Sequence, residues 1–374
     1  MMPDETSSGQ AAQPLKDQAQ IAASIERFRV SFWERRAGLR PPVAVVPERT
    51  WMPIGYLKRP FDGSHVQPAD VTPALVRTDY EDGAIGRAVR SDDWLPYSAP
   101  WRAVPWLEAI CGCRVRYATG SLAPEPCATS AQQMAGLELA AAGPWYDRLN
   151  ELTKALVASA PDDCFVSPTI LRGPSDVLAA MRGMSSFYLD LHDDPRALAL
   201  AAGRVNRVFQ DLLARHWAAV PPRHGGYGHI YGYWAPGPTN VLQEDVLGMC
   251  SPRVYADIFM PLNAAVVRDL GPYTLFHLHS TGLRHYRHVL DVPGIAGLEI
   301  TLESIGPTLS DLTPVVREIL ERSRLMLFVD AHFQDLPALL RQVPHDGLYL
   351  IISDKFIGSE ADYRAFVAAN WRLS

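Results

Sequence analysis

The apolar positions of this chain fall into two regimes. In residues 17–38 they recur at helical spacing, with Ile21, Ile25, Phe28, Val30 and Phe32 on or near one face and Gly38 at the stop. From about 40 to 125 that order is lost among Pro, Trp and Asp, and only 42–46 (Pro-Val-Ala-Val-Val) reads as a strand. From about 130 onward, short apolar runs alternate with amphipathic stretches. Strands are expected at 164–171, 227–234, 273–279, 297–302, 325–330 and 348–352. Helices are expected at 143–160, 174–183, 194–219, 252–270, 283–290, 310–322, 335–342 and 359–370.

Strands that alternate with helices build a parallel sheet with right-handed crossovers. These six strands, the one at 43–46 and an eighth somewhere in 100–120 make the set of a single (β/α)8 TIM-type barrel with an N-terminal helical and loop extension. An open doubly wound sheet competes, but no G-x-G-x-x-G opens a helix after a strand. The expected organisation is a disordered tail over 1–16, then a helix, the first strand and Pro/Trp-rich loops over 17–125, and the main part of the barrel over 126–374.

Composition narrows the function classes. Asp plus Glu number 41 against 35 Lys plus Arg, so the basic surplus of a nucleic-acid binder is missing. No apolar run reaches the ~20 residues of a membrane span, and the polar first twenty residues carry no signal-peptide pattern. Cys111, Cys113, Cys127, Cys164 and Cys250 are scattered and odd in number, which suits buried or half-buried thiols in a reducing compartment. The expectation is a cytoplasmic protein that handles a small molecule.

In a parallel α/β architecture, chemistry gathers at the carboxyl ends of the strands. The strand at 273–279 ends in His277-Leu278-His279, which places both imidazoles on one side and permits them to share a metal ion. One structural and one solvent-facing histidine is the alternative. Glu299, Thr301 and Glu303 share a side of the next strand, Asp330 ends the one after it with His332 two residues on, and Asp354 and Lys355 end the last. Each acid alone could cap a helix. Together they could add oxygen ligands to a metal, or act as general acid and base, with Glu299 and Asp330 as the catalytic candidates. Nine of the eleven histidines lie after residue 215; His285 and His288, in a helical stretch, read as surface residues. At 227–234 the odd positions Tyr227, His229, Tyr231 and Tyr233 share a strand face, either as core packing or as the wall of a pocket.

Three segments resemble the uroporphyrinogen decarboxylase superfamily: SPTILRGPSDVLAAMRG at 167–183, FYLDLHDDP at 187–195 and QEDVLGMCSP at 243–252, with 255–261 continuing the last. The His277-Leu278-His279 strand falls where the corrinoid-dependent methyltransferase branch has a zinc-binding H-x-C. The resemblance spans about 140–355 and implies an α/β barrel. It also implies one-carbon or methyl transfer, zinc as cofactor, and a corrinoid carried by a partner protein. On that pattern His277 is the first ligand, His279 stands in for a Cys, and Asp354 takes the place of a second Cys near 353–355. Glu244 and Asp245 would line the pocket with Tyr231 and Tyr233, and Arg49 falls in the segment where the decarboxylase branch binds substrate. Decarboxylation of a tetrapyrrole or aromatic acid is the second activity the resemblance allows, and a non-catalytic ligand-binding relative is the third reading. Trp51, Trp94, Trp101 and Trp106, all before residue 125, would belong to a lid over the barrel mouth.

Overall fold

In the computed structural model, residues 16–46, 65–73, 89–118 and 121–371 are described. The strands are β1 (Val43–Val46), β2 (His65–Val66), β3 (Tyr97–Ser98), β4 (Val115–Ala118), β5 (Ser121–Pro124), β6 (Phe165–Val166), β7 (Tyr227–Gly228), β8 (Trp234–Ala235), β9 (Thr239–Gln243), β10 (Tyr273–His279), β11 (Gly297–Leu302), β12 (Arg324–Val329) and β13 (Leu348–Ser353). Near-continuous apolar runs such as LMLFV and LYLII suit strands covered on both faces, the habit of parallel sheets. Six strands do form such a sheet, in the order β1-β13-β12-β11-β10-β9, with every pairing parallel.

Strand alternation divides the sheet's side chains between two cores. Leu298, Ile300, Leu325, Leu327, Leu350 and Ile352 pack outward against the helices, among them Leu309–Arg322 and Glu360–Asn370. Val241, Leu275, Met326, Phe328, Tyr349 and Ile351 point the other way, onto a layer that includes Ile21, Phe28, Phe32 and Trp33. The long helix Pro195–Ala219 begins with an Asp194 cap and a proline in its first turn, close to the expected bounds. No helix among the described residues is long and apolar enough to cross a membrane.

The opening helix, Gln18–Arg27, starts at an Asp17–Gln20 capping box and runs into a π-helical turn, Phe28–Trp33. It seals the amino ends of the strands. The Phe28 ring meets Tyr349 edge-on at 4.9 Å, and Trp33 meets Tyr273 at 5.1 Å. Arg324, at the start of β12, donates from Nε to the Phe32 carbonyl at 3.1 Å.

Three expectations need correction. First, 227–234 is not one strand. β7 and β8 form a short antiparallel hairpin, and Gly232 takes a φ of +64° between them, so no regular strand face runs through the segment: His229, Tyr231 and Tyr233 still stack together, while Tyr227 packs on Trp217. The parallel strand in that place is β9, after the Pro236-Gly237-Pro238 break. Second, 164–171 keeps only β6, because Pro168 lacks an amide donor; Arg172 then regains a single parallel bridge to Gln243. Third, the strand in 100–120, β4, belongs to an antiparallel sheet with β2 and β5, while β6 pairs in parallel with β3. The barrel and the tryptophan lid need correction as well. Strand pairing among the described residues does not close a barrel: the sheet is α/β and parallel, with β1 and β9 at its edges. Trp94, Trp101 and Trp106 are buried core residues, and Trp51 lies outside the described residues.

Candidate metal centre

Above the apolar layer, toward the carboxyl ends, the same face of the sheet turns polar. Along β10, Leu275 gives way to His277 and His279, while Leu278 goes to the helix side. β11 lies beside it with His277 level with Glu299 and His279 level with Thr301. On the other flank Gln243 of β9 is level with His277, and the chain continues through Glu244 to Asp245. Asp245 Oδ1 lies 3.6 Å from Nε2 of His277 and 3.6 Å from Nε2 of His279. Asp245, His277 and His279 are the group among the described residues whose ligand atoms, all within 4.8 Å of one another, could hold a metal ion.

The outer nitrogens of the two rings face carboxylates. His277 Nδ1 bonds to Glu299, which is fully buried and also accepts from Thr301 Oγ1 at 2.9 Å. His279 Nδ1 lies 3.1 Å from Glu303 Oε1. A carboxylate on Nδ1 keeps that nitrogen protonated and leaves the Nε2 lone pair for a cation, the usual support of a metal-bound histidine. His277 Nε2 is buried and has no hydrogen-bond partner, a costly state that a bound ion would relieve. Ligands at ~2.1 Å in tetrahedral array sit ~3.4 Å apart, close to the 3.6 Å that separates Asp245 Oδ1 from each imidazole nitrogen. Two nitrogens and one oxygen leave a fourth position open, as catalytic zinc sites do.

Asp245 is positioned from two sides. Gln243 Nε2 donates to its Oδ2 at 2.8 Å, and its own amide donates to Asp176 Oδ2 at 2.8 Å. Burial pushes the Asp245 carboxyl up, but His279, His277 and Gln243 outweigh burial and hold it below the usual range. The Asp245 carboxylate beside it raises His279 to about 9 against the opposing effect of burial, with Glu303 adding to the rise. Asp176 is pushed well above the usual carboxylate range by burial, then by Asp245 and Glu244.

The expected site residues separate into groups. His277, His279, Glu299 and Asp245 come together, with Asp245 read from sequence as a pocket residue and here placed where a third ligand belongs. Asp354 follows β13 and lies outside the three-residue group. Asp330 pairs with Lys355 Nζ at 2.7 Å, and both are partly exposed. Glu244 is buried against neighbouring helices, accepting from the Ser175 amide at 2.7 Å and Asn263 Nδ2 at 2.9 Å. Tyr233 is fully buried with its hydroxyl on Thr239 at 2.7 Å. Tyr231 is buried against His229, and its carbonyl accepts from the Tyr349 hydroxyl at 2.9 Å; burial raises its own hydroxyl, and Glu299 and Asp245 add to the rise. Arg49 lies outside the described residues. His285 is buried rather than surface-exposed, with Nε2 2.7 Å from the Leu247 carbonyl, because its turn packs on the 3-10 segment after Asp245. Sequence reasoning missed Asp176 and Gln243 as supports for Asp245, and nothing local to either residue signals that role.

No protein-family model matches the chain, and no curated protein matches it in sequence. Among solved structures, a methyltransferase from Methanosarcina mazei is similar with a TM-score of 0.58 and 13% identity, over 96% of this chain and 98% of that chain. At that identity the likeness shows a shared fold.

Proposed function

We propose that this chain is a zinc-dependent enzyme of the uroporphyrinogen decarboxylase-like class that moves a methyl group to or from a small molecule. The observation that carries the reading is the convergence of His277 Nε2, His279 Nε2 and Asp245 Oδ1, with the first buried and without a hydrogen-bond partner. The fold likeness to a methanogen methyltransferase supports methyl transfer as the reaction. The β3–β6 pair and the Arg172–Gln243 bridge support a distorted barrel in which short strands fill the gap between β9 and β1.

His277, His279 and Asp245 would hold the ion. Bound there, zinc would act as a Lewis acid that favours the deprotonated form of an acceptor thiol. Glu299 holds the proton on His277 Nδ1, and Thr301 fixes Glu299 in turn. Asp245 stays ionised, and His279 would have to give up its Nε2 proton to serve as a ligand. The buried aromatic layer below, with Tyr231 at its top, keeps water from reaching the centre from beneath. The methyl donor in this reading is a corrinoid on a separate protein. The carboxylates Asp245, Glu299 and Glu303 crowd the centre, and such a field opposes a substrate with several carboxylates. That favours methyl transfer over tetrapyrrole decarboxylation.

Elemental analysis of purified protein should find close to one zinc per chain in the wild type and little in a folded His277→Ala variant. With methylcobalamin as donor, the zinc-loaded protein should methylate a small thiol and the chelated protein should not. A wild type that takes up no transition metal even when zinc is supplied would overturn the reading.

A further inference from the structure

Outside the metal centre, two of the five cysteines face each other. Cys113 precedes β4 and Cys127 follows β5, just past the end of the hairpin ladder, where the Glu125 amide donates to the Arg114 carbonyl at 2.8 Å. Their sulfurs are 3.5 Å apart, in thiol–thiol contact. Both backbones are pinned: Cys113 N donates to the Glu108 carbonyl at 2.9 Å, and Cys127 N to the Met181 carbonyl at 2.9 Å. The sulfurs therefore meet by construction, and a ~2.05 Å bond needs them to close by about 1.5 Å, within reach of side-chain rotation. Cys127 is exposed, whereas Cys113 is buried. The sequence had suggested only buried or half-buried thiols. Cys164 and Cys250 do fit that description, each with its sulfur on a carbonyl of the local backbone.

We propose that Cys113 and Cys127 are a reversible two-electron redox pair, oxidised to a disulfide by hydroperoxides and returned to thiols by a small dithiol. The hydrogen bond from Cys113 lowers the Cys127 thiol, while that same bond and burial raise Cys113. Exposure and acidity thus assign the first attack to Cys127. Its thiolate takes the outer oxygen of the hydroperoxide. The O–O bond breaks, the leaving oxygen gains a proton as water or alcohol, and Cys127 becomes a sulfenic acid. The Cys113 sulfur then attacks Cys127: the S–S bond forms, the S–O bond breaks, and the departing hydroxide takes the Cys113 proton as water. Two thiols lose two electrons in all, and the hydroperoxide gains them. A dithiol reverses the change by exchange, leaving as its own cyclic disulfide. The new bond would staple the open end of the β4–β5 hairpin.

The experiment uses the full chain and hydrogen peroxide at one equivalent. The count of free thiols after denaturation should fall from five to three, and a proteolytic map should contain one new peptide joining Cys113 to Cys127. In Cys113→Ser, which lacks the second thiol, dimedone should capture a sulfenic acid at Cys127. Cys127 in the native wild type should alkylate at least about tenfold faster than Cys250. Five intact thiols after peroxide, or a bridge that instead contains Cys111 or joins two chains, would overturn the proposal. Should the variant misfold, the wild-type map alone decides.

Discussion

At the residue scale, His277 is held from both sides: Glu299 on Nδ1 and Asp245 near Nε2, with only 5% of its side chain exposed. A Glu299→Gln substitution preserves shape but gives up the charge that steadies the ring. Loss of such a support typically lowers metal affinity ~10–100-fold. Competition against a chromogenic chelator should show a drop of that size, and unchanged affinity would remove Glu299 from the orienting role. His229 provides a pH signature. Burial drives it down to about 3, with its rings stacked near Tyr231 and Tyr233. Its folded value is depressed below the ordinary ~6.5, so the unfolded chain takes up a proton first. The stability it contributes is fully present above pH ~6.5 and is lost as pH falls toward 3, at up to ~1.4 kcal/mol per pH unit. His216 is driven down to about 3 by burial as well, so urea titrations between pH 7 and 5 should show a steeper wild-type slope that His229→Gln flattens by up to that amount. The meeting of His277 and His279 was legible because strand alternation alone puts them on one side. The role of Asp245 was not, since it depends on which strand flanks β10, and β9 carries polar residues behind a Pro-Gly-Pro break.

At the scale of elements, the segment 226–235 shows why an aromatic alternation misled. A Cβ on Gly228 would lie 2.4 Å from the Phe165 side chain, and one on Gly226 would lie 2.3 Å from the Ala235 carbonyl oxygen. These glycines let a hairpin press against neighbouring backbone and rings, which a regular strand would not require. Gly232 combines a positive φ with a Cβ position 2.3 Å from the Trp94 ring. Gly232→Ala should therefore destabilise by roughly 2 kcal/mol or more, measured as a lower urea midpoint. A midpoint equal to wild type would mean the hairpin repacks freely. The long helices were easier to read, because their apolar stripes, caps and prolines all agree, as at Asp194 and Pro195. The short strands β3 and β6, two residues each, lie below what periodicity can resolve.

At the scale of the whole molecule, the two ends of the sheet have separate duties: the amino end is sealed and the carboxyl end carries the polar cluster. Trp33 donates from Nε1 to the Trp234 carbonyl at 2.6 Å and is almost fully buried. Trp33→Ala should cost ~3–5 kcal/mol in the usual range for a buried aromatic. Because it acts at the sealed end, zinc per folded chain should be unchanged. Calorimetry paired with elemental analysis checks both, and loss of metal from a folded Trp33→Ala protein would show that the ends are not independent. The alternating strand-helix grammar gave the parallel sheet, but closure into a barrel could not be read from it, because closure depends on the pairing of the shortest strands.

The seal also sets an order of events during synthesis. Phe32 and its partner Arg324 are 292 positions apart. At ~5–20 residues per second, the first helix leaves the ribosome on the order of 15–60 s before β12, and longer before β13. Through that interval Phe28 and Phe32 lack the Tyr349 ring, and Phe32 and Trp33 lack the Arg324 guanidinium. A nascent chain stalled near residue 320 should therefore be cut readily by protease within 18–33, while the released full-length protein resists. Equal resistance in both would mean that the helix finds another shelter first.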